Sequence, residues 1–392
     1  MTTENGFTER LSLAEAWAWL DARPRITGTE TIPLDRALLR VLATSLTFPE
    51  SRPVGDSAIT DGYAVQSEST LGASSYNPLF LTIVPIGAPL AQGCASVCHA
   101  GGALPAGADA VLPVEAGEAL GSVLEICAAV ARGQNVAVVG QAARRGDTAL
   151  SPGRRLGAPE IALASLLAVE RLEVLRRPQI ALVIVGPKPP GLEALATALS
   201  SLITRDGGVA RVISVGAGGL VDGIRSSADA DAVLVAGRSG WGEDDAAAQA
   251  VVAAGGRLDH HGLALKPGGS AGFGGLGEVP VLLLPGDPLA ALVAYDLLAG
   301  RLIRHLAGRT NELPYPVRRF NVMRKVTSTI GVSEWIAVRC HGSTVEPLPL
   351  SPVDGLAGLG RADGFLIVPA GLEGYAPGES VDLYLTAEVS AR

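Results

Sequence analysis

The feature that most constrains the fold is the alternation of apolar strands and helical segments after residue 178. Ile180–Val185 is an uninterrupted apolar run, as expected of a parallel strand that is covered on both faces. The further strands are predicted at Ala210–Ser214, Ala232–Ala236 and Val279–Leu284, and the helices at Leu192–Ile203, Val221–Ser227, Asp244–Ala254 and Leu289–Leu306. This order predicts a three-layer α/β domain with a parallel sheet over 178–309, whose ligand site lies beyond the carboxyl ends of the strands.

Helical segments are also predicted on the N-terminal side of this domain. Apolar residues recur at helical spacing in Leu11–Leu20, with Ser12 placed to cap the helix and Glu15 three residues later. A second helix is predicted over Leu34–Thr44, after a proline, and helical spacing returns at Ala158–Val169. We therefore expect one helical and linker domain built from residues 1–47 and 141–177.

Two β-rich regions complete the chain. Between residues 48 and 140, short apolar runs alternate with Gly and Pro turns, which predicts an inserted β module. The predicted strands there are Leu79–Pro85, Ser96–His99, Ala110–Val114 and Val123–Cys127. From 314 to 392 the pattern is again that of strands, at Arg318–Val326, Trp335–His341, Gly364–Val368 and Ser380–Leu385.

Charge and composition exclude several classes of protein. The chain has 39 Asp and Glu against 31 Lys and Arg, so its net charge of −8 gives no electrostatic basis for binding nucleic acid or an anionic membrane surface. No apolar run is long enough to span a bilayer, the first residues lack the pattern of a signal peptide, and four cysteines are too few for a disulfide framework. These features predict a cytoplasmic protein with no membrane partner. Only three of its basic residues are lysines, namely Lys188, Lys266 and Lys325.

A glycine-rich turn, Ala236–Gly242, follows one predicted strand and precedes a helix. Backbone N–H groups in such a turn, together with the helix N-terminus, form a cradle for an anion. Glu243, Asp244 and Asp245 are expected in the first turn of that helix. They are explained equally well as acids that stabilise the helix dipole or as carboxylates that bind Mg²⁺ or act as a general base beside a phosphate.

Three further turns carry candidate functional groups. Lys266–Ser270 has a Pro-Gly-Gly bend that directs the Lys266 ammonium, either towards an oxyanion or simply to solvent. In Pro285–Pro288, Asp287 fits the N-cap and Pro288 the first helical position, which explains that turn without a ligand. Asp56–Ala64 contains two carboxylates, Asp56 and Asp61, which either reach one metal or substrate or lie in a solvated turn.

Taken in order, these turns resemble the molybdopterin molybdenumtransferase family, which includes MoeA and the gephyrin E domain. The resemblance extends over essentially the whole chain. The matching stretches are Asp56–Ala64, Pro105–Val111, Gly146–Gly153, Gly237–Gly242, Lys266–Gly269 and Pro285–Pro288. No single stretch is specific, but six in the same order and spacing are specific for the fold.

The resemblance implies a four-domain chain that ends in a C-terminal β-barrel, and an elongated homodimer. The site would lie between the α/β domain of one chain and the N-terminal region of the other. The implied reaction inserts molybdate into adenylylated molybdopterin and releases AMP with the help of Mg²⁺. The implied catalytic residues are Asp61, Asp245 and Lys266, the metal ligands Asp56, Asp61 and Asp245, and the cofactor-binding residues Gly237, Arg238, Ser239, Gly240, Gly242, Lys266, Gly268, Pro285, Gly286 and Pro288.

The sequence also departs from the family pattern at several charged positions. An Asp-Glu pair is replaced by Pro187 and Lys188, a glycine by Arg238, and a lysine by Gly269. An arginine expected in the C-terminal domain falls at Ala337, and a serine is missing from the stretch 358–363.

Two functions are compatible with these departures. The first is a divergent molybdenumtransferase in which Arg238 or Lys188 replaces lost cations. The second is a molybdopterin-binding carrier or assembly scaffold for other cofactor-assembly proteins or a recipient molybdoenzyme. We favour the enzyme, because Asp61, Asp245 and Lys266 persist on three separate segments.

Overall fold

The computed structural model describes residues 10–24, 28–186, 191–350 and 355–386. The chain divides into two compact units, one formed by 1–43 with 172–392 and the other by 44–171. The division into four domains stays a prediction. No helix in the described ranges has the length and apolar character needed to cross a bilayer.

The first helix has the predicted cap, but the second predicted helix is wrong. In the helix Leu13–Asp21, the Ser12 hydroxyl accepts the Glu15 N–H at 3.2 Å and the Glu15 carboxylate accepts the Ser12 N–H at 2.9 Å. Only a 3₁₀ turn, Leu34–Arg36, occurs where Leu34–Thr44 was expected to be helical. Leu39 has a φ of 64°, which interrupts a helix, and the chain then becomes extended.

The α/β sheet has six strands in the order Val209–Val215, Gln179–Val185, Ala232–Ala236, Val279–Leu284, Gly272–Leu276 and Arg257–His261. The first four are parallel, as predicted, and the last two are antiparallel to their neighbours. These two antiparallel edge strands were not among the strands predicted from the sequence. The sequence gives little warning, because Gly272–Leu276 consists largely of glycine and Arg257–His261 is mostly polar.

Helices cover both faces of this sheet and produce the predicted three layers. Alternate residues of Gln179–Val185 belong to separate cores: Ile180, Leu182 and Ile184 to one, and Ala181, Val183 and Val185 to the other. The helices are Gly191–Arg205, Leu220–Arg225, Ala247–Ala253, and a final run of Pro288–Ala294, a π-helical turn Tyr295–Ala299, and Gly300–Leu306.

A buried network of polar groups joins the final helix to Gly191–Arg205. Asp206 is fully buried and accepts hydrogen bonds from Arg304 Nη1 at 3.0 Å and from the Tyr295 hydroxyl at 3.1 Å. Arg205 Nη2 donates to Asp206 at 2.8 Å and to Asp296 at 2.7 Å. Burial raises the pKa of the Asp296 carboxyl, and Arg205 opposes that effect.

The C-terminal strands close into a five-stranded barrel, as the family resemblance implies. Around the barrel the strands are Ser333–His341, Thr344–Pro347, Val317–Val322, Ser380–Leu385 and Gly364–Val368, and the last pairs with the first. A short strand, Leu265–Lys266, pairs in parallel with Ser333–Glu334. This pairing attaches a loop of the α/β domain directly to the barrel.

The unit 44–171 is built around a six-stranded sheet. Its strands are, in order, Ala110–Pro113, Gly62–Val65, Cys94–Cys98, Leu79–Val84, Val123–Ile126 and Gly117–Leu120. The shorter pairs are Ser57–Ala58 with Val136–Ala137 and Leu46–Thr47 with Thr148–Leu150, and the helix is Ala158–Leu166. The four predicted strands of the inserted module are all present, with ends shifted by one or two residues.

Candidate functional site

The α/β domain has three glycine-rich turns, namely Ala236–Gly242 (the first turn), Lys266–Ser270 (the second turn) and Pro285–Pro288 (the third turn), and they lie together at one edge of the sheet. The first and third turns follow the parallel strands Ala232–Ala236 and Val279–Leu284, and the second precedes the antiparallel strand Gly272–Leu276. The Gly237 N–H donates to the carbonyl of Leu284 at 3.1 Å, and a methyl group on Gly286 would lie 3.4 Å from the Gly237 Cα. The hydroxyl oxygens of Ser239 and Ser270 are 3.5 Å apart. Folding thus brings three separate segments to one edge of the sheet, where α/β proteins bind ligands.

The first turn has an unusual backbone that side chains hold in place. Gly237 and Arg238 both have positive φ, at 100° and 52°. Arg238 Nη1 donates to the Asp244 carbonyl at 2.7 Å, and the Arg238 carbonyl accepts from Ala247 N–H at 2.9 Å. The arginine that replaces a family glycine therefore uses its guanidinium to brace the turn. The other suggested replacement cation, Lys188, and the neighbouring Pro187 lie outside the described residues.

Asp245 lies in this turn and not in the first turn of a helix. The helix begins at Ala247, so the predicted start at Asp244 is wrong. Asp245 Oδ2 instead accepts the Gly242 N–H at 2.9 Å, and the same oxygen occupies the space that a Cβ on Gly240 would need. The carboxylate closes a local turn, a conformation that Asp stabilises in competition with helix. Its second oxygen accepts no hydrogen bond from the described residues.

Trp241 and His261 form part of the same edge, although Trp241 was not predicted as a site residue. Trp241 is 52% exposed, and its ring centroid is 5.9 Å from that of His261. His261 Nε2 is 2.8 Å from the Ser239 carbonyl oxygen. The available signal was the position of a large aromatic residue between Gly240 and Gly242, in a turn already predicted to bind a ligand.

Lys266 is held by a carboxylate that sequence reasoning missed. Its Nζ lies 2.9 Å from Glu334 Oε1, and the two residues face each other in the parallel strand pair. The Lys266 side chain is 63% exposed and that of Glu334 12% exposed. The barrel therefore fixes the direction of the ammonium group, while the ammonium stays accessible to a ligand.

A cleft of about 660 Å³ lies between the α/β domain and the barrel. Lys266 and Asp287, from the second and third turns, line one part of it, and Arg324, Lys325 and Trp335 line the barrel part. Asp287 caps the final helix, as predicted, by accepting the N–H of Ala290 at 2.8 Å. Ala337, where the family pattern has an arginine, is also in the lining.

Asp56 and Asp61 lie in the unit 44–171, and backbone groups hold both. Asp56 Oδ1 accepts the N–H of Val139 at 2.9 Å, and Asp61 Oδ1 accepts that of Ala100 at 2.8 Å. His99 Nδ1 is 3.5 Å from the same Asp61 oxygen. Within the described residues, no three His, Cys, Asp or Glu side chains are grouped as a metal site. The predicted ligand set of Asp56, Asp61 and Asp245 stays a prediction.

Models of three protein families match successive parts of the chain. They are the MoeA N-terminal region (domain I and II) at residues 11–168, the "Probable molybdopterin binding domain" at 210–305, and the MoeA C-terminal region (domain IV) at 320–386. The turns described above thus belong to a molybdopterin-binding class of α/β domain followed by the barrel domain of MoeA proteins.

The chain is similar in sequence to named molybdopterin molybdenumtransferases and in fold to a solved MoeA structure. A molybdopterin molybdenumtransferase 2 from Mycobacterium tuberculosis is 30% identical, over 74% of this chain and 76% of that protein. Molybdopterin molybdenumtransferase 1 of the same organism is 27% identical, over 86% and 89%. A crystal structure of a MoeA molybdopterin biosynthesis protein from Pyrococcus horikoshii is 26% identical with a TM-score of 0.78, covering 96% of this chain and 99% of that one.

The chain belongs to the molybdopterin molybdenumtransferase family. Its resemblance to that family, its fold with a closed C-terminal barrel, and its place among the enzymes of molybdenum cofactor biosynthesis are confirmed. The alternative of a carrier or scaffold without catalysis is not favoured.

Proposed function

We propose that this chain inserts molybdate into adenylylated molybdopterin and releases AMP, in a reaction that uses Mg²⁺. One observation carries the proposal: three glycine-rich turns lie together at one edge of the sheet, and Lys266 of the second turn lines the adjoining cleft. The reaction needs a site for phosphate, a site for a tetrahedral oxyanion and a carboxylate near the phosphoanhydride. The α/β domain and barrel supply groups of each kind.

The first turn is the proposed phosphate site. The N–H groups of Ser239 and Gly240 donate no hydrogen bond to any described residue. Gly237, Arg238 and Gly242 shape the turn, so the two amides are presented together. Backbone amides at the end of a parallel strand bind phosphate oxygens without a charged side chain. The remaining proposed binding residues are Gly268, Pro285, Gly286 and Pro288, which form the neighbouring turns.

Lys266 is the proposed oxyanion-binding residue, and Glu334 positions it. A lysine ammonium binds a tetrahedral anion as a compact point charge with three donors, so its direction decides where the anion lies. Glu334 is largely buried and accepts one donor at 2.9 Å, which leaves two for a ligand. We propose that this arrangement places molybdate in the cleft.

Asp245 is the proposed Mg²⁺ ligand, and its environment fits that ion. Mg²⁺ binds through one or two carboxylates together with substrate phosphates and water, so a single carboxylate beside a phosphate turn is sufficient. Oδ2 is used by the Gly242 N–H, and Oδ1 accepts nothing from the described residues. When bound, Mg²⁺ would stabilise charge on the phosphoanhydride oxygens. Asp61 is proposed as a further catalytic carboxylate and as a metal ligand, with Asp56, in the same loop, as another metal ligand.

We also propose that the chain acts as a homodimer. Exposed apolar side chains surround the Asp56 loop in the unit 44–171, namely Val54, Ile59, Val138 and Val139. Backbone hydrogen bonds join Ile59 to Asn135 and Gly140 to Pro53, so these residues form one patch. A patch of this kind is typical of a surface that another chain covers. Light scattering is expected to give twice the chain mass of 39.9 kDa. A mass of one chain at micromolar concentration would contradict the dimer.

The decisive experiment for the function is molybdate-dependent release of AMP from adenylylated molybdopterin by the purified protein. We expect AMP to appear only when both molybdate and Mg²⁺ are present. If the protein binds the adenylylated pterin but releases no AMP at any Mg²⁺ concentration, the proposed reaction is wrong.

A further inference from the structure

We propose that Lys325 is a second oxyanion-binding cation of the cleft and acts together with Lys266. The inference deepens the proposed function and rests on it for the identity of the ligand. It begins from residue usage: 31 residues are Lys or Arg, but only three are lysines. Two of those three, Lys266 and Lys325, line the same cleft, although they come from the α/β domain and the barrel respectively. The third, Lys188, lies outside the described residues.

The charges in the cleft indicate that Lys266 alone cannot balance a doubly charged anion. Lys266 is already paired with Glu334 at 2.9 Å, and the neighbouring Asp287 adds another carboxylate to the lining. Arg324 is paired with Glu346 at 2.5 Å. Lys325 has no carboxylate within ion-pair distance among the described residues. It is therefore the cation in this lining whose charge is not already balanced, and a doubly charged anion needs such a cation.

Hydrogen bonds fix the backbone on both sides of Lys325, so the Cα from which its side chain extends has a defined position. Met323 N–H donates to the Val345 carbonyl at 2.8 Å on one side. On the other, Val326 is buried and pairs with Tyr375 in an antiparallel bridge. Only the flexible side chain of Lys325 has to be ordered by a ligand, so the entropic cost of binding is that of one side chain and not of a loop.

Lys325 also compensates for cations of the family pattern that this chain lacks. The lysine expected at Gly269 and the arginine expected at Ala337 are both absent, and Ala337 lies in the lining of the cleft. Arg238 donates to a main-chain carbonyl of its own turn. A lysine from an adjacent barrel segment restores a positive charge to the same space. The chemistry recognised is that of a tetrahedral oxyanion, either free molybdate or the phosphate of a nucleotide.

The test is calorimetric titration of molybdate alone and of AMP alone into the full-length protein at low, fixed ionic strength. Lys325→Ala is expected to weaken binding of at least one of these two ions about tenfold or more, and Lys325→Arg to recover most of the loss. Weaker binding of molybdate alone assigns Lys325 to the free oxyanion, and of AMP alone to the phosphate. Arg318→Ala is the matched control, because Arg318 is exposed on the barrel strand Val317–Val322 and outside the cleft lining.

The inference is overturned if Lys325→Ala binds both ions as tightly as the wild type. It is also overturned if Arg318→Ala weakens binding as much as Lys325→Ala does, because the weaker binding then reflects only the lower net charge of the protein. Melting curves of all variants verify that they are folded. Since these titrations require no turnover, absence of AMP release would refute the proposed reaction without touching this result.

Discussion

Asp245 offers the sharpest test of whether the first turn is catalytic or only structural. The carboxylate has two separable features, the hydrogen bond from Gly242 N–H to Oδ2 at 2.9 Å and the negative charge. Asp245→Asn keeps a carbonyl oxygen that accepts the same N–H, but removes the charge. Asp245→Ala removes both.

The structure sets the size of each effect on stability. A hydrogen bond to a charged group contributes about 1.5–3 kcal/mol and a neutral one about 0.5–1.5 kcal/mol. Asp245→Asn should therefore lower the free energy of unfolding by about 1 kcal/mol, and Asp245→Ala by up to about 3 kcal/mol. Because the residue is only half-buried, we expect values in the lower part of these ranges.

The effect on turnover should be far larger than the effect on stability. If Asp245 binds Mg²⁺ or orients water, Asp245→Asn should reduce AMP release by about 100-fold or more. Affinity for adenylylated molybdopterin should change by less than about 1 kcal/mol, because the shape of the turn is kept. The assay is the initial rate of AMP release, with calorimetry for ligand affinity and for melting.

Asp244→Asn is the control for charge. Asp244 is exposed next to Asp245, and its backbone carbonyl accepts a hydrogen bond from Arg238. We expect this variant to release AMP at close to the wild-type rate. If Asp245→Asn turns over like the wild type, Asp245 is a turn residue only. If Asp244→Asn is equally slow, the loss reflects the local field and the assignment to Asp245 is refuted.

Three further predictions follow from the described contacts. Lys266→Ala should weaken molybdate binding by roughly 1.5–3 kcal/mol in calorimetry, and unchanged affinity would remove Lys266 from the site. Asp206→Ala should lower the free energy of unfolding in urea by about 3–5 kcal/mol, because the buried guanidinium of Arg304 loses its counter-ion. Asp229→Ala, in an exposed ion pair, is the control and should have a much smaller effect. Burial, aided by a nearby carboxylate, raises the pKa of the Cys340 thiol to about 11, so a thiol reagent at pH 8 should label the exposed Cys127 first and Cys340 only as the pH approaches 11. Rapid labelling of Cys340 at pH 8 would contradict that pKa.

Several elements could be predicted because their signals are local. The apolar run at Ile180–Val185 forms the covered strand Gln179–Val185, since a run of that length can be buried only between two layers. Ser12 with Glu15, and Asp287 with Pro288, fix the starts of two helices through contacts within three residues. The first and third glycine-rich turns could likewise be predicted to lie at one edge, because both follow parallel strands, which share the direction of their carboxyl ends.

Other features depended on contacts that only the folded chain provides. The strands Gly272–Leu276 and Arg257–His261 lack an apolar pattern and exist because each pairs with a neighbour in the sheet. Asp245 looked like a helix-start acid, but the turn at Gly240–Gly242 competes for its carboxylate. The pairing of Lys266 with Glu334, and the presence of Lys325 in the same cleft, arise from segments far apart in sequence. The sequence by itself determined where most strands and glycine-rich turns occur, since these depend on residues that are neighbours along the chain. Which charges face each other was decided by tertiary structure, because an ion pair depends on a distance in space that no local pattern contains.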